Sequence, residues 1–230
     1  MIATPSSVAP QVIAVEGLCF AGKTTLACSL ASRLGAWLGA EYADMITLPP
    51  FPPATGAAAR ARLSALLAAE AIRSSRARGA GTRLVIFDRS PLSVIGHEHA
   101  MRARGVPADP QAATTWFTRA ADAGAILRPD AYLDLTVPDQ AFRQRQRTRG
   151  QLPEHLIAAD VRSAIGEFYA ACFQAAGPGR VLCLDGTAPS ASLTAQAADF
   201  AAALPPAIPG RSVPWLPGSP PAAIPGGAAA

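Results

Sequence analysis

Gln11-Val12-Ile13-Ala14-Val15-Glu16-Gly17-Leu18-Cys19-Phe20-Ala21-Gly22-Lys23-Thr24-Thr25 carries three signals in sequence. Residues 11 to 16 are an apolar run of strand length, and from Thr24 to Leu34 the apolar residues Leu26, Leu30, Ala31 and Leu34 fall at helical spacing. Between them stands Gly-x4-Gly-Lys-Thr, the Walker A spacing of a phosphate-binding P-loop. Glycines let the backbone approach an anion closely, and N–H groups at a helix start point at it with the positive end of the helix dipole behind them. This reading assigns Gly17, Ala21, Gly22, Lys23, Thr24 and Thr25 to nucleotide binding, with the Thr24 hydroxyl on Mg²⁺.

The chain has twenty basic residues, and Lys23 is its only lysine. A compact ammonium on a flexible stem follows β- and γ-phosphates in a way that a planar guanidinium does not. Keeping one lysine against an otherwise complete arginine bias marks that position as chemical.

Working outward, 230 residues suffice for one domain with a proper core. No apolar run approaches the roughly 18 residues that span a bilayer, and residues 1–10 lack a basic region followed by an apolar stretch. A cytoplasmic protein is expected. Cysteines 19, 28, 172 and 183 show no Cys-x-x-Cys spacing, so reduced thiols are expected. The net charge of +4 is dispersed and does not call for nucleic acid as a partner.

Further strands are expected at Gly39–Ile46, Arg83–Asp88, Ala131–Val137 and Arg180–Leu184. Helices are expected over 56–78, 91–104, 111–127, 155–176 and 190–204, with another after Pro138 carrying Arg143, Arg145, Arg147 and Arg149. Alternating strands and helices predict an α/β, three-layer P-loop NTPase fold, a five-stranded parallel sheet with helices on both faces and its ligands at the strand carboxyl ends. The expected divisions are a flexible N-terminus (1–10), a catalytic domain (11–204) and a disordered Pro/Gly/Ala-rich tail (205–230).

Four segments resemble the thymidylate kinase and deoxynucleoside kinase group of P-loop phosphotransferases. These are Val15-Glu16-Gly17 before the loop, Phe87-Asp88-Arg89-Ser90, Arg128-Pro129-Asp130-Ala131-Tyr132-Leu133-Asp134-Leu135, and the arginine-rich Arg145-Gln146-Arg147-Thr148-Arg149-Gly150-Gln151-Leu152. The resemblance implies ATP and Mg²⁺ as cofactors, a small-molecule acceptor, no membrane, and a homodimer through helices that include 91–104. It implies Asp88 as a second Mg²⁺ ligand, Arg89 on the acceptor, Arg147 and Arg149 as lid arginines, and Glu41 as the base, with Asp44 as substitute. Lys23, Asp88, Arg89, Glu41, Arg147 and Arg149 are thus the catalytic candidates. Phosphoryl transfer is mainly positioning and charge neutralisation, which suits this set.

The acceptor side departs from both families. The arginine-acid-proline-glycine segment of thymidylate kinases is replaced by Glu41-Tyr42-Ala43-Asp44 and a proline loop, and serine with proline follows Asp88-Arg89. Three functions stay open: a nucleotide or nucleoside kinase, a phosphotransferase acting on an antibiotic or specialised-metabolite hydroxyl, and an ATP-binding switch without a small acceptor. His97-Glu98-His99 is a poor metal site, because helical positions two apart diverge.

Overall fold

The computed structural model describes residues 10–150 and 152–205. The expectations for the first nine residues and for the tail from 206 on lie outside the described residues. Five strands, β1 (Gln11–Glu16), β2 (Trp37–Gly39), β3 (Leu84–Asp88), β4 (Ala131–Thr136) and β5 (Val181–Asp185), form one sheet in the order β2-β3-β1-β4-β5. Every pairing is parallel, from Gln11↔Leu84 between β1 and β3 to Thr136↔Asp185 between β4 and β5. The α/β parallel-sheet fold expected from the sequence is present.

Strand periodicity of two sorts the residues into two cores. Val12, Ala14, Val85, Phe87 and Tyr132 face one side, under α3 (Gly56–Gly79), α4 (Pro91–Ala103), α5 (Pro110–Asp122) and α8 (Ala159–Ala176). Ile13, Val15, Ile86 and Leu133 face the other, under α1 (Lys23–Leu34) and α9 (Ser190–Ala203). Strands buried on both faces explain why the sequence shows solid apolar runs instead of alternation.

The connection from β1 leads past β3 to β2, whereas that from β3 leads past β1 to β4. The chain therefore leaves the carboxyl ends of β1 and β3 in opposite directions, which opens a crevice there. Helix starts are capped in the ways that the sequence offers. The Thr55 hydroxyl accepts from Ala58 N at 3.1 Å, Ser90 precedes Pro91, and the Asp109 carboxylate accepts from Ala112 N at 2.9 Å before the turns that follow.

Three boundaries differ from expectation. The second strand is Trp37–Gly39, not 39–46, and residues Tyr42–Met45 form a short helix, α2, with Glu41 at its N-cap. Gly39 packs on Phe87 so closely that an added Cβ would lie 2.5 Å from its ring, and the Ala40 carbonyl is taken by a side chain instead of a neighbouring strand. The expected helix 155–176 is two helices, α7 (Glu154–Ile157) and α8, broken at the extended Ala158. The Arg162 Nε donates to the Ile157 carbonyl at 3.1 Å and satisfies the end of the first. The expected helix 111–127 stops at Asp122, where Gly124 takes a left-handed φ of 70°.

Candidate active site

The loop between β1 and α1 is shaped by two glycines that no other residue could replace cheaply. At Gly17, φ is 135° and a Cβ would sit 2.2 Å from the Leu135 carbonyl oxygen of β4. At Gly22, φ is 108° and the residue is the N-cap of α1. That helix starts without a side-chain cap, leaving its first N–H groups for an anion. Lys23 is only 5% exposed, and its Nζ donates to the Leu18 carbonyl at 2.8 Å, curling back over the loop. Burial and, next, the charge of Arg89 pull its pKa down to about 8.

Asp88, which ends β3, is 2% exposed, and neither carboxylate oxygen has a hydrogen bond of good geometry among the described residues. Burial raises its pKa. The nearby Thr24 hydroxyl opposes that rise. Arg89 follows in a left-handed conformation with φ of 70°, and its backbone N donates to the Val15 carbonyl at 3.0 Å. This turn, uncommon for a residue with a long side chain, sends the guanidinium toward Glu41. Arg89 Nε lies 2.5 Å from Glu41 Oε1, as an ion pair without aligned hydrogen-bond geometry. Burial opposes the Arg89 charge, but Glu41 outweighs it with help from Tyr169, Cys19 and Glu16, so its pKa is raised.

A cavity of about 530 Å³ joins these groups. At one end lie Gly17 to Phe20 and Gly22 to Thr25; Glu41, Arg89, Ser93 and Tyr169 also line it, as does Arg149. Leu48, Leu66, Val94, Leu156 and Ile165 supply apolar wall together with Phe51, His97, His155 and Arg62. The Phe51 ring is contacted by His155 at 3.8 Å, His97 at 5.2 Å and the Arg62 guanidinium at 5.3 Å. His97 Nε2 and Arg62 Nε are buried without hydrogen-bond partners among the described residues. Burial, then Arg62, then His155 hold the His97 pKa at about 3, so its ring is neutral.

The expected residues are thus distributed unevenly. Gly17, Gly22, Lys23, Thr24, Thr25, Glu41, Arg89 and Arg149 line the cavity, whereas Ala21 and Asp88, the latter near Thr24, do not. Arg147 is exposed and does not line it, and Asp44, beyond the N-cap, does not either. Of the four arginines on α6 (Asp139–Arg149), the one that contacts the loop is Arg145. It donates to the carbonyls of Phe20 at 2.9 Å, Ala21 at 2.8 Å and Gly186 at 2.6 Å. Helical geometry separates positions two apart by about 200°, so Arg145 and Arg147 cannot share a direction.

Sequence reasoning missed the role of Glu16. Fully buried at the end of β1, its carboxylate accepts from Ser90 N at 2.7 Å, Ser90 Oγ at 2.5 Å, Ser93 Oγ at 2.6 Å and the Tyr169 hydroxyl at 3.0 Å. It pins α4 and α8 to the strand that carries the P-loop. Burial raises its pKa, against those hydrogen bonds. An acid closing an otherwise apolar strand was the available signal.

The family model described as an AAA domain matches residues 13–166. The chain belongs to that AAA-domain family. Among solved structures, this AAA protein is similar to deoxyadenosine kinase from M. mycoides with dCMP and dCDP bound. Identity is 17%, the match covers 84% of this chain and 100% of that one, and the TM-score is 0.63. It is also similar to thymidylate kinase from Candida albicans, at 16% identity over 85% of this chain and 92% of that one, with a TM-score of 0.60. No curated protein matches it in sequence. Its fold is therefore that of P-loop nucleoside and nucleotide kinases. Among the described residues no helix is long and apolar enough to cross a membrane.

Proposed function

We propose that this AAA protein is an ATP-dependent kinase that transfers the γ-phosphoryl group to a hydroxyl of a small acceptor, either a nucleoside or a metabolite of similar size. The observation that carries the reading is the Glu41–Arg89 pair on the wall of a cavity that it shares with the P-loop. A hydroxyl nucleophile must lose a proton, and Glu41, 31% exposed on its side chain, is a carboxylate able to accept it. An acceptor that is already a phosphate needs no such base, and would meet Glu41 as a like charge.

In this reading the P-loop amides and the start of α1 hold the triphosphate. Lys23 moves from the Leu18 carbonyl to the phosphates and neutralises charge as it shifts to the leaving ADP oxygen. Glu41 takes the hydroxyl proton as the acceptor oxygen bonds to γ-phosphorus, and Arg89 holds Glu41 in place. Arg149 reaches the cavity from the lid. The Asp88 oxygens, near Thr24 and without a hydrogen-bond partner of good geometry among the described residues, suit Mg²⁺; Thr24 and Asp88 would hold the ion, which would supply neutralisation of charge on the triphosphate. The apolar walls suit a ring or alkyl body. His97 Nε2 and Arg62 Nε suit a polar group on it, because buried polar atoms left unpaired are costly.

The test is ADP release from MgATP with a panel of nucleosides, nucleoside monophosphates and hydroxylated antibiotics. Lys23-dependent turnover with a hydroxyl acceptor supports the proposal. Turnover confined to monophosphates moves the acceptor to a phosphate, and nucleotide binding with no acceptor turnover favours the switch reading.

A further inference from the structure

Arg73, in the last third of α3, is completely buried and lies outside the cavity wall. Its Nη1 donates to two main-chain carbonyls, Ala40 at 3.2 Å and Asp88 at 3.3 Å. Its Nη2 pairs with Glu70 and lies 3.4 Å from the Tyr42 hydroxyl, which itself donates to Glu70 at 2.7 Å. The guanidinium sits 4.8 Å from the centre of the Tyr42 ring and 4.1 Å from that of Phe87. Arg73 therefore grips Ala40 and Tyr42, on either side of Glu41, and Phe87 and Asp88, the two residues before Arg89.

The location gives these contacts their meaning. The β2–β3 ladder ends at Gly39↔Phe87. Beyond that pair the strands lose mutual main-chain pairing, β2 turns into α2, and Arg89 adopts its left-handed turn. Glu41 and Arg89 come two residues after the last pair. A single N–H donor group bridging the first carbonyl beyond the ladder on each strand acts as a side-chain rung that fixes their separation.

We infer that Arg73, held by Glu70, is a positioning residue that sets the Glu41–Arg89 geometry; its effect on turnover rests on the reading of Glu41 as base. Packing alone would not select this group. Burying two charges costs several kcal/mol per ion, and an apolar pair of similar volume is often at least as stable. Arg73 Nε is moreover buried without a partner among the described residues.

The experiment compares the full-length protein with Glu70→Leu/Arg73→Met, which removes both charges together, and with Arg73→Lys, which keeps a cation facing Glu70 but loses the guanidinium fork. Each is examined by thermal melting, MgADP titration, steady-state kinetics and NMR of the Arg89 Nε–H signal, assigned by its loss in Arg89→Lys. We expect the double variant to melt cooperatively and to keep its MgADP Kd and ATP KM within threefold, with kcat lower by about 10- to 100-fold, the penalty of misplacement by about 1 Å. We expect its Arg89 Nε–H signal to shift or broaden as the Glu41 contact loosens, and Arg73→Lys to fall between the two. An unshifted Arg89 signal in a folded variant overturns the inference, as does an unchanged kcat. A double variant that fails to fold leaves Arg73→Lys to decide by the same readouts. Wild-type protein without turnover on any acceptor would remove the kinase reading, and the Arg89 signal would still decide the role of Arg73.

Discussion

Glu41 and Arg89 stand 48 positions apart in the chain, and Arg89 Nε lies 2.5 Å from Glu41 Oε1. Each follows the carboxyl end of a strand, so the sheet register brings the two together, and the left-handed turn at Arg89 aims one at the other. If Glu41 removes the acceptor proton, Glu41→Gln lowers kcat by about 10²- to 10⁴-fold, the range of general base catalysis, and leaves MgADP affinity nearly unchanged. Steady-state kinetics beside calorimetric titration checks this.

Lys23 makes nucleotide binding depend on pH in the alkaline range. Its pKa is about 8 in the free protein, and in the proposed function the triphosphate takes the ammonium form. Below pH 8 the cation is already present. Above it, each binding event must take up a proton, so affinity falls by up to about tenfold per pH unit. Titration calorimetry at pH 9 in buffers of different ionisation enthalpy should show that uptake, and Lys23→Met should lose it along with most of the affinity.

Asp134 is partly exposed on β4, and burial followed by the charge of Glu16, its partner in the β1–β4 register, raises its pKa to about 6. A carboxyl raised above its unfolded value destabilises the fold when ionised. The penalty is absent below about pH 4, grows as pH rises, and is complete above about 6. Asp134→Asn should therefore stabilise the protein at pH 7.5 by about 1 to 2 kcal/mol after discounting for solvent screening, and should give almost nothing at pH 4. Urea denaturation at both values measures the difference.

Gly17→Ala should damage the fold as well as nucleotide binding. The new Cβ would meet the Leu135 carbonyl at 2.2 Å, a main-chain atom that cannot swing away, at a φ of 135° that alanine rarely adopts. A loss of at least about 2 kcal/mol is expected, read from the melting temperature without ligand.

The phosphate loop and the sheet were legible because their signals are local. Gly17 and Gly22 announce the turns, and the unbroken runs Val12 to Val15 and Val85 to Phe87 announce strands buried on both faces. Asp88 and Arg89 could be named for the same reason, since a polar pair closing an apolar strand is visible in one line of sequence. The end of β2 was not legible. It depends on Gly39 packing against Phe87 and on Arg73 taking the Ala40 carbonyl, both contacts between distant segments. Arg73 and Glu70 read only as polar positions in an alanine-rich helix, and their complete burial follows from tertiary packing. The prominence of Arg145 over Arg147 depends on the phase in which α6 docks, which arginines at every second position do not disclose. His155 was hidden by the break at Ala158, which turns one expected helix into two.

The solitary amine of Lys23 gives the protein a built-in covalent handle. With no other lysine in the chain, an amine-selective acylating reagent, used after the free thiols are blocked, meets one side-chain amine, the ammonium that curls over the phosphate loop, besides the terminal amine. A pKa near 8 leaves that side chain more nucleophilic at neutral pH than an ordinary lysine. One mass increment, protected by nucleotide and lost in Lys23→Met, would report occupancy of the loop directly, whatever acceptor the cavity takes.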